Sequence, residues 1–289
     1  MKFIWSVLLF TTVSICKAQM KHPKASPFST LVQEVGFTEI KVEYSRPAAR
    51  GRYLFGSQSN GEPGLVPYGR IWRVGANAST KISFNNPVYV NGAKLEKGTY
   101  ALYAFPGANE WQVVFHTNIN HWGDGRASYN AKEDVLRIPI VPKTTSEFQE
   151  NFLISFDDID HNGLHMIWHW GNTKVVVPIT VNTKEQMEEQ IKKALKALPN
   201  GQTYYEIARY YQEQGLKPDK ALDYVDKAIK MDGGTYYYYR VKSLILADLE
   251  LYKEAIKFAR ASLDLAQKLQ KDEFVRLNKA SILLWESKE

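Results

Sequence analysis

Apolar and polar residues alternate in short runs from Phe28 to Asn182, and from Thr183 onward the period lengthens to that of amphipathic helices. In the first stretch Val35–Tyr44 places Thr38, Ile40, Val42 and Tyr44 on one face. Lys81–Asn85, Val88–Val90, Thr99–Phe105, Trp111–His116, Val135–Ile140, Phe152–Phe156, His165–Trp170 and Lys174–Val181 repeat the two-residue period of a strand. Turn residues separate these runs at Asn85-Asn86-Pro87, Asn91-Gly92, Glu96-Lys97-Gly98, Pro106-Gly107 and Asn162-Gly163. Asn-Gly between alternating runs is a strong hairpin signal, because both residues accept a positive φ. Roughly eight to ten short strands at this spacing predict an antiparallel β-sandwich or barrel.

The second stretch predicts helices only. Met187, Ile191, Ala194, Leu195 and Leu198 recur at helical steps within Glu185–Leu198, with Thr183 as a candidate N-cap and Pro199-Asn200-Gly201 as the stop. An internal repeat follows. Ala221 recurs as Ala255, Ala228 as Ser262 and Ile229 as Leu263, each 34 positions on. With Ala208 and Gly215 in the first copy and Ser243, Ala247 and Tyr252 in the second, the stretch resembles a tetratricopeptide array, closed by a helix over Glu273–Trp285. The resemblance implies a surface for a protein or peptide partner; the other reading is a helical layer packed on the β-domain. In Tyr236-Tyr237-Tyr238-Tyr239 the side chains point nearly all round a helix, so at least one is expected to be exposed or to meet the other domain. The fold class is thus a mainly β N-terminal domain followed by an all-α, tetratricopeptide-like domain.

The amino terminus has a different grammar. Met1-Lys2, a 13-residue apolar run from Phe3 to Ile15, and Cys16-Lys17-Ala18-Gln19 match a secretory signal peptide over 1–19. The run is short of the ~20 residues of a membrane-spanning helix. Cys16 brings a lipoprotein into view, but the bulky Ile15 before it disfavours lipidation. The predicted domains are 20–183 and 184–289, the mature chain has no transmembrane segment, and the location is periplasmic or secreted. Cys16 is the only cysteine among the 289 residues, so there is neither an intrachain disulfide nor a cysteine-based metal site.

Composition excludes a mainly disordered or collagen-like chain: 44% of residues are hydrophobic and 24% charged. Net charge is +6, but each domain carries only a slight basic excess, which gives no reason to expect nucleic acid. The β-domain is polarised along its sequence. Residues 45–95 hold Arg46, Arg50, Arg52, Arg70, Arg73, Lys81 and Lys94 against Glu62 alone, whereas residues 96–183 are net acidic. Either these arginines pair with carboxylates across the sheet, or several converge on an anion that a guanidinium fork grips at two points.

The same region carries the most distinctive motifs: Ser45-Arg46-Pro47-Ala48-Ala49-Arg50-Gly51-Arg52, Leu54-Phe55-Gly56, and Leu65-Val66-Pro67-Tyr68-Gly69-Arg70-Ile71-Trp72-Arg73-Val74-Gly75-Ala76-Asn77-Ala78-Ser79-Thr80. Together with Gly98-Thr99-Tyr100-Ala101-Leu102, Trp111, Trp122-Gly123, Tyr129 and Asp134-Val135-Leu136-Arg137, they resemble the DUF2911 family over roughly residues 28–182. The resemblance implies an exported bacterial protein of Bacteroidetes type, in a family whose function is uncharacterised and some of whose members carry a helical tail. Read residue by residue, the segment is a long ordered loop, and such loops in compact domains are usually functional. On a strand Arg70 and Trp72 would face one side, Ile71 and Arg73 the other. The candidate ligand site is Arg46, Arg73 and Asn77 with Trp72 nearby, and Arg50, Arg52 and Arg70 as further candidates.

Catalytic and metal motifs are weak by comparison. The chain has no Gly-x-Ser-x-Gly elbow, phosphate loop, dinucleotide fingerprint or His-Glu-x-x-His helix, and Ser45 has no identifiable base. His165 and His169 would lie about 13–14 Å apart on a strand, too far for one ion. His116 and His121 flank a loop that could fold both onto a metal with Asp124, but satisfied loop histidines are the commoner case. Asp158, Asp160 and Asn162 before Gly163 match the start of a calcium loop, yet His169 stands where the closing Glu belongs, so a hairpin turn is expected. The reading is therefore a noncatalytic binding or interaction protein without cofactor or metal, taking an anionic or carbohydrate ligand. The alternative is a hydrolase acting on an anionic or sugar-containing envelope substrate. If the export signal is read correctly, Ala18→Arg leaves uncleaved precursor at the inner membrane; wild-type precursor accumulating uncleaved in the cytoplasm would contradict it.

Overall fold

A computed structural model describes residues 22–123 and 127–288, so the signal peptide expected over 1–19 and the metal ligand suggested at Asp124 lie outside the described residues. The chain divides into two compact units between Thr183 and Lys184. No helix among the described residues is long and apolar enough to cross a membrane.

The first unit is built from ten antiparallel strands in two sheets. They are β1 (Phe28–Val35), β2 (Thr38–Ser45), β3 (Thr80–Phe84), β4 (Val88–Val90), β5 (Ala93–Leu95), β6 (Gly98–Phe105), β7 (Trp111–His116), β8 (Asp134–Ile140), β9 (Lys143–Asp157) and β10 (Gly163–Val181). One sheet runs β1-β2-β3-β6-β7-β8 and the other β5-β4-β10-β9. Neither sheet closes on itself among the described residues, so the architecture is a sandwich. The alternation read from the sequence does the work: Thr38, Ile40, Val42 and Tyr44 are all buried on one face of β2. Val42 pairs with Ile82, and Leu102 with Phe115. Ile154, Met166, Trp168 and Ile179 supply the other sheet's share of the core. Each such side chain contributes about 1.5–3 kcal/mol on burial.

Strand boundaries depart from the sequence expectation where alternation is weak. Val35 ends β1, and Gly36 at φ +54° turns the chain into β2, so one expected run is the end of a hairpin. An edge strand, β1 leaves Phe28 and Val32 exposed. The two runs His165–Trp170 and Lys174–Val181 are one 19-residue strand, interrupted by register shifts around Gly171 at φ +56°. A Cβ there would come within 2.7 Å of Leu54 Cδ1.

The second unit contains α1 (Thr183–Lys196), α2 (Gly201–Glu213), α3 (Pro218–Asp232), α4 (Tyr236–Asp248), α5 (Tyr252–Lys268) and α6 (Asp272–Glu286). Thr183 opens α1, and its hydroxyl is donated to the His161 carbonyl at 2.5 Å. Asn200 caps α2 through the Thr203 amide and Thr235 caps α4 through the Tyr238 amide. The 34-residue offset puts Ala221 and Ala255 at equivalent places near the starts of α3 and α5, and all of Ala221, Ala228, Ala255, Ala259 and Ser262 are fully buried. At least one of Tyr236–Tyr239 was expected to be exposed or to meet the other domain; within this unit each of the four rings packs on another ring. Tyr236 meets Phe274, Tyr237 and Tyr238 meet Tyr205, and Tyr239 meets Phe258.

The large hydrophobic cluster of the sandwich is made from residues between Val35 and Val181 alone. A chain ending at Thr183 therefore keeps near-UV circular dichroism and melts cooperatively. A soluble but molten truncation would show that the helices complete the core.

Candidate functional site

The segment between β2 and β3, residues 46–79, has no regular strand, yet it is fastened throughout. Trp72 and Ala104 exchange two backbone hydrogen bonds, at 2.7 and 2.8 Å. Gly56 donates to Val66 and Val66 to Leu54, while on β9 Glu150 accepts from Ala49 and Phe152 donates to Pro47. The Trp72 side chain is 6% exposed, between Phe55, Trp111, Phe152, Trp168 and Trp170, with ring centroids 5.1 to 6.4 Å away. The first four of these contacts are edge-on and the Trp170 contact is stacked; aromatic pairs of either kind add about 0.5–1.5 kcal/mol each beyond burial.

Beyond Trp72 the chain bends sharply. Val74 at φ +52° and Asn77 at +63° flank Gly75 at +142°. A β-branched residue at positive φ is strained by on the order of 1–3 kcal/mol. Complete burial of Val74 and the Thr80 hydroxyl, donated to its carbonyl at 2.5 Å, hold it there. A Cβ on Gly75 would sit 2.8 Å from the Ser45 carbonyl oxygen, so the bend requires glycine.

This bend shapes a cavity of about 330 Å³. Arg52, Arg70 and Arg73 line it, with Trp72, Ile71, Pro47, Pro67 and Trp170 as its apolar wall. All four residues 70–73 contribute to the wall, so strand-like alternation does not separate them here. Arg46, Arg50 and Asn77 do not line it. Arg46 donates Nε to the Phe152 carbonyl at 3.0 Å. Asn77 donates its amide to the Ser26 carbonyl and to Ser45 Oγ at 3.2 and 3.1 Å. The Arg50 backbone amide binds the Glu150 carboxylate at 2.8 Å while its guanidinium reaches the Ala25 carbonyl. These three side chains tie the loop to its neighbours.

Ion pairing was one account of the arginines. Among the described residues Arg46, Arg50, Arg52 and Arg70 form no ion pair. Among the described residues Arg52 donates only to the carbonyls of Ala49 and Ala48, and the Arg70 guanidinium, on an exposed residue, has no hydrogen bond. No acid and no histidine belongs to the described cavity wall. The cavity is therefore cationic and aromatic, with hydrogen-bond donors uncompensated by protein carboxylate at Arg52 and Arg70. A guanidinium there matches a carboxylate or phosphate.

A second constellation lies where β7 ends and β8 begins. His116, fully buried, pairs in register with Asp134 and presents Nδ1 to Asp134 Oδ1 at 2.9 Å. Asp134 also holds the Tyr129 hydroxyl at 2.7 Å and Arg137 Nη2 at 2.7 Å. Burial, and then the bond to Asp134, push the Tyr129 phenol well above the usual tyrosine range. The Tyr103 hydroxyl reaches His121 Nδ1 at 3.2 Å. Glu133, on the short turn Ala131–Glu133, brings Oε2 to 3.1 Å from His116 Nε2. The sequence reading paired the two histidines but missed Glu133 and Asp134. Their signal was an acidic pair opening the strand that partners β7, visible only once the register is known. The other histidines serve separate partners: His165 faces Asp158 and His169 the Glu147 carbonyl. Asp160 Oδ1 accepts from the amides of Asn162 and Gly163, closing the β9–β10 hairpin turn.

An antiparallel sandwich with a clamped, arginine-lined inter-strand loop is thus the class of domain at hand. The profile of the family described as "Protein of unknown function (DUF2911)" matches residues 26–179, and the chain belongs to that family. No curated protein and no solved structure matches.

Proposed function

We propose that this chain is an exported, noncatalytic binding protein whose sandwich domain takes an anionic ligand, of the carboxylate or phosphate class, in the cavity formed by Arg52, Arg70 and Arg73. The observation that carries the reading is the charge balance of the wall among the described residues: three guanidinium groups, two of them in no ion pair, and no acid or histidine. Nucleophilic catalysis needs a coupled nucleophile and base, and the described wall offers none. Trp72 and Trp170 give the cavity an apolar side, which suits an anion carried on a ring or short chain, such as a sugar acid or sugar phosphate. In this reading Arg46, Arg50 and Asn77 act from outside the cavity, holding the loop that positions the others. The helical unit, with its 34-residue repeat and close contacts at small residues, is read as a tetratricopeptide-like docking module for a protein or peptide partner. Secretion to the periplasm or beyond follows from the leader at 1–19 and is part of the proposal.

The test is calorimetric titration with glucose 6-phosphate, galacturonate and neutral glucose. The two anions bind and glucose does not. Arg70→Ala weakens anion binding roughly 10- to 100-fold, the loss of one charge-assisted hydrogen bond of about 1.5–3 kcal/mol. Since Arg70 is exposed and makes no side-chain bond among the described residues, ligand-free stability changes by no more than about 0.5 kcal/mol. Glucose binding as well as the anions, or Arg70→Ala binding as the wild type does, would overturn the assignment.

A further inference from the structure

We propose that His116, His121 and Glu133 form a binding site for one divalent transition-metal ion, Zn²⁺ first among them, separate from the arginine cavity. A ligand atom from each of the three lies within 4.8 Å of the other two. Two imidazoles and a carboxylate are the nitrogen–oxygen donor set of open zinc and related first-row sites, whereas calcium and magnesium prefer oxygen alone.

Three features mark the cluster as more than a chance meeting. First, His116 Nε2 and Glu133 Oε2 face each other at 3.1 Å, both shielded from solvent, and neither makes a hydrogen bond among the described residues. Two electron-rich atoms in that position need a cation beside them or a proton between them. Second, Glu133 lacks the side-chain cation that its neighbour Asp134 has among the described residues. Asp134 has Arg137 at 2.7 Å and the Tyr129 hydroxyl, whereas Glu133 has no Lys or Arg partner among the described residues. Third, the rings are already oriented. Asp134 accepts from His116 Nδ1, which leaves the Nε2 lone pair directed at Glu133, and Tyr103 engages His121 Nδ1. A carboxylate behind a ligating imidazole fixes its tautomer and raises its basicity.

Ligands about 2.0–2.1 Å from a shared tetrahedral ion stand roughly 3.4 Å apart, so the triangle closes by no more than about 1.4 Å along its longest edge. His116 is fixed at the end of β7. The adjustment falls to His121, outside any strand, and to Glu133, whose side chain is 37% exposed. Three protein ligands leave a fourth position for water.

The experiment uses the purified, untagged chain after chelator treatment, dialysed against Zn²⁺ for metal counting and against Co²⁺ for visible ligand-field absorption. Wild type retains one ion per chain, and His165→Gln does the same. Glu133→Gln and His121→Gln weaken binding at least tenfold and alter the Co²⁺ bands, while Asp134→Asn weakens it 10- to 100-fold through the His116 ring. Should His121→Gln fail to fold, Glu133→Gln, at a half-exposed position, carries the comparison alone. Substoichiometric binding by the wild type would overturn the site and leave a protonated His116–Glu133 pair. Equal binding by wild type and Glu133→Gln would overturn it too, marking the retained ion as adventitious.

Discussion

The insertion of Trp72 between the two sheets is the contact on which the rest of the sandwich domain depends. Its backbone pairs with Ala104 of β6 while its ring reaches Trp168 and Trp170 of β10 and Phe152 of β9. One residue of an otherwise irregular segment thereby touches both layers. A 34-residue connection without regular strands would ordinarily lose much conformational entropy on ordering, about 1–2 kcal/mol per residue for the backbone. Burial of Phe55, Val66, Trp72 and Val74 and backbone bonds to β6 and β9 work against that cost.

Once Trp72 is fixed, its neighbours are fixed with it. Arg73 follows directly, and the strained turn at Val74–Asn77 brings the chain to β3. Arg46 and Asn77 use their donors on main-chain carbonyls and Ser45, so the loop is held by side chains whose chemistry equally suits a ligand. The division of labour between pinning and presenting arginines is set by which carbonyls lie within reach. Phe152 O is near Arg46, whereas nothing among the described residues engages the Arg70 guanidinium.

That division explains what could be read from the chain. The sheets were legible because Ile40, Val42 and Ile82 alternate with polar neighbours and are buried as the pattern demands. β1 and the outer half of β9 were not, since their exposed residues carry no apolar period. Gly171 read as a strand break because a glycine in a bulge and a glycine in a turn look alike in sequence. The concentration of arginine, tryptophan and asparagine marked the segment that lines the cavity. Residue type alone could not separate Arg52, Arg70 and Arg73, on the cavity wall, from Arg46, Arg50 and Asn77, off it. His116 and Glu133 are 17 positions apart and meet only through the β7–β8 register, which no local pattern encodes.

Native-state hydrogen exchange at Trp72 and Ala104 tests the account most directly, because each amide donates to the other's carbonyl. If the inserted tryptophan clamps the loop to the sandwich, both amides exchange only by opening of the core, as slowly as Leu102 and Val113 in the sheet interior. Exchange of the Trp72 amide as fast as that of the exposed Gln58–Gly61 turn would contradict it, for the segment would then open independently of the fold and could not hold its arginines in place.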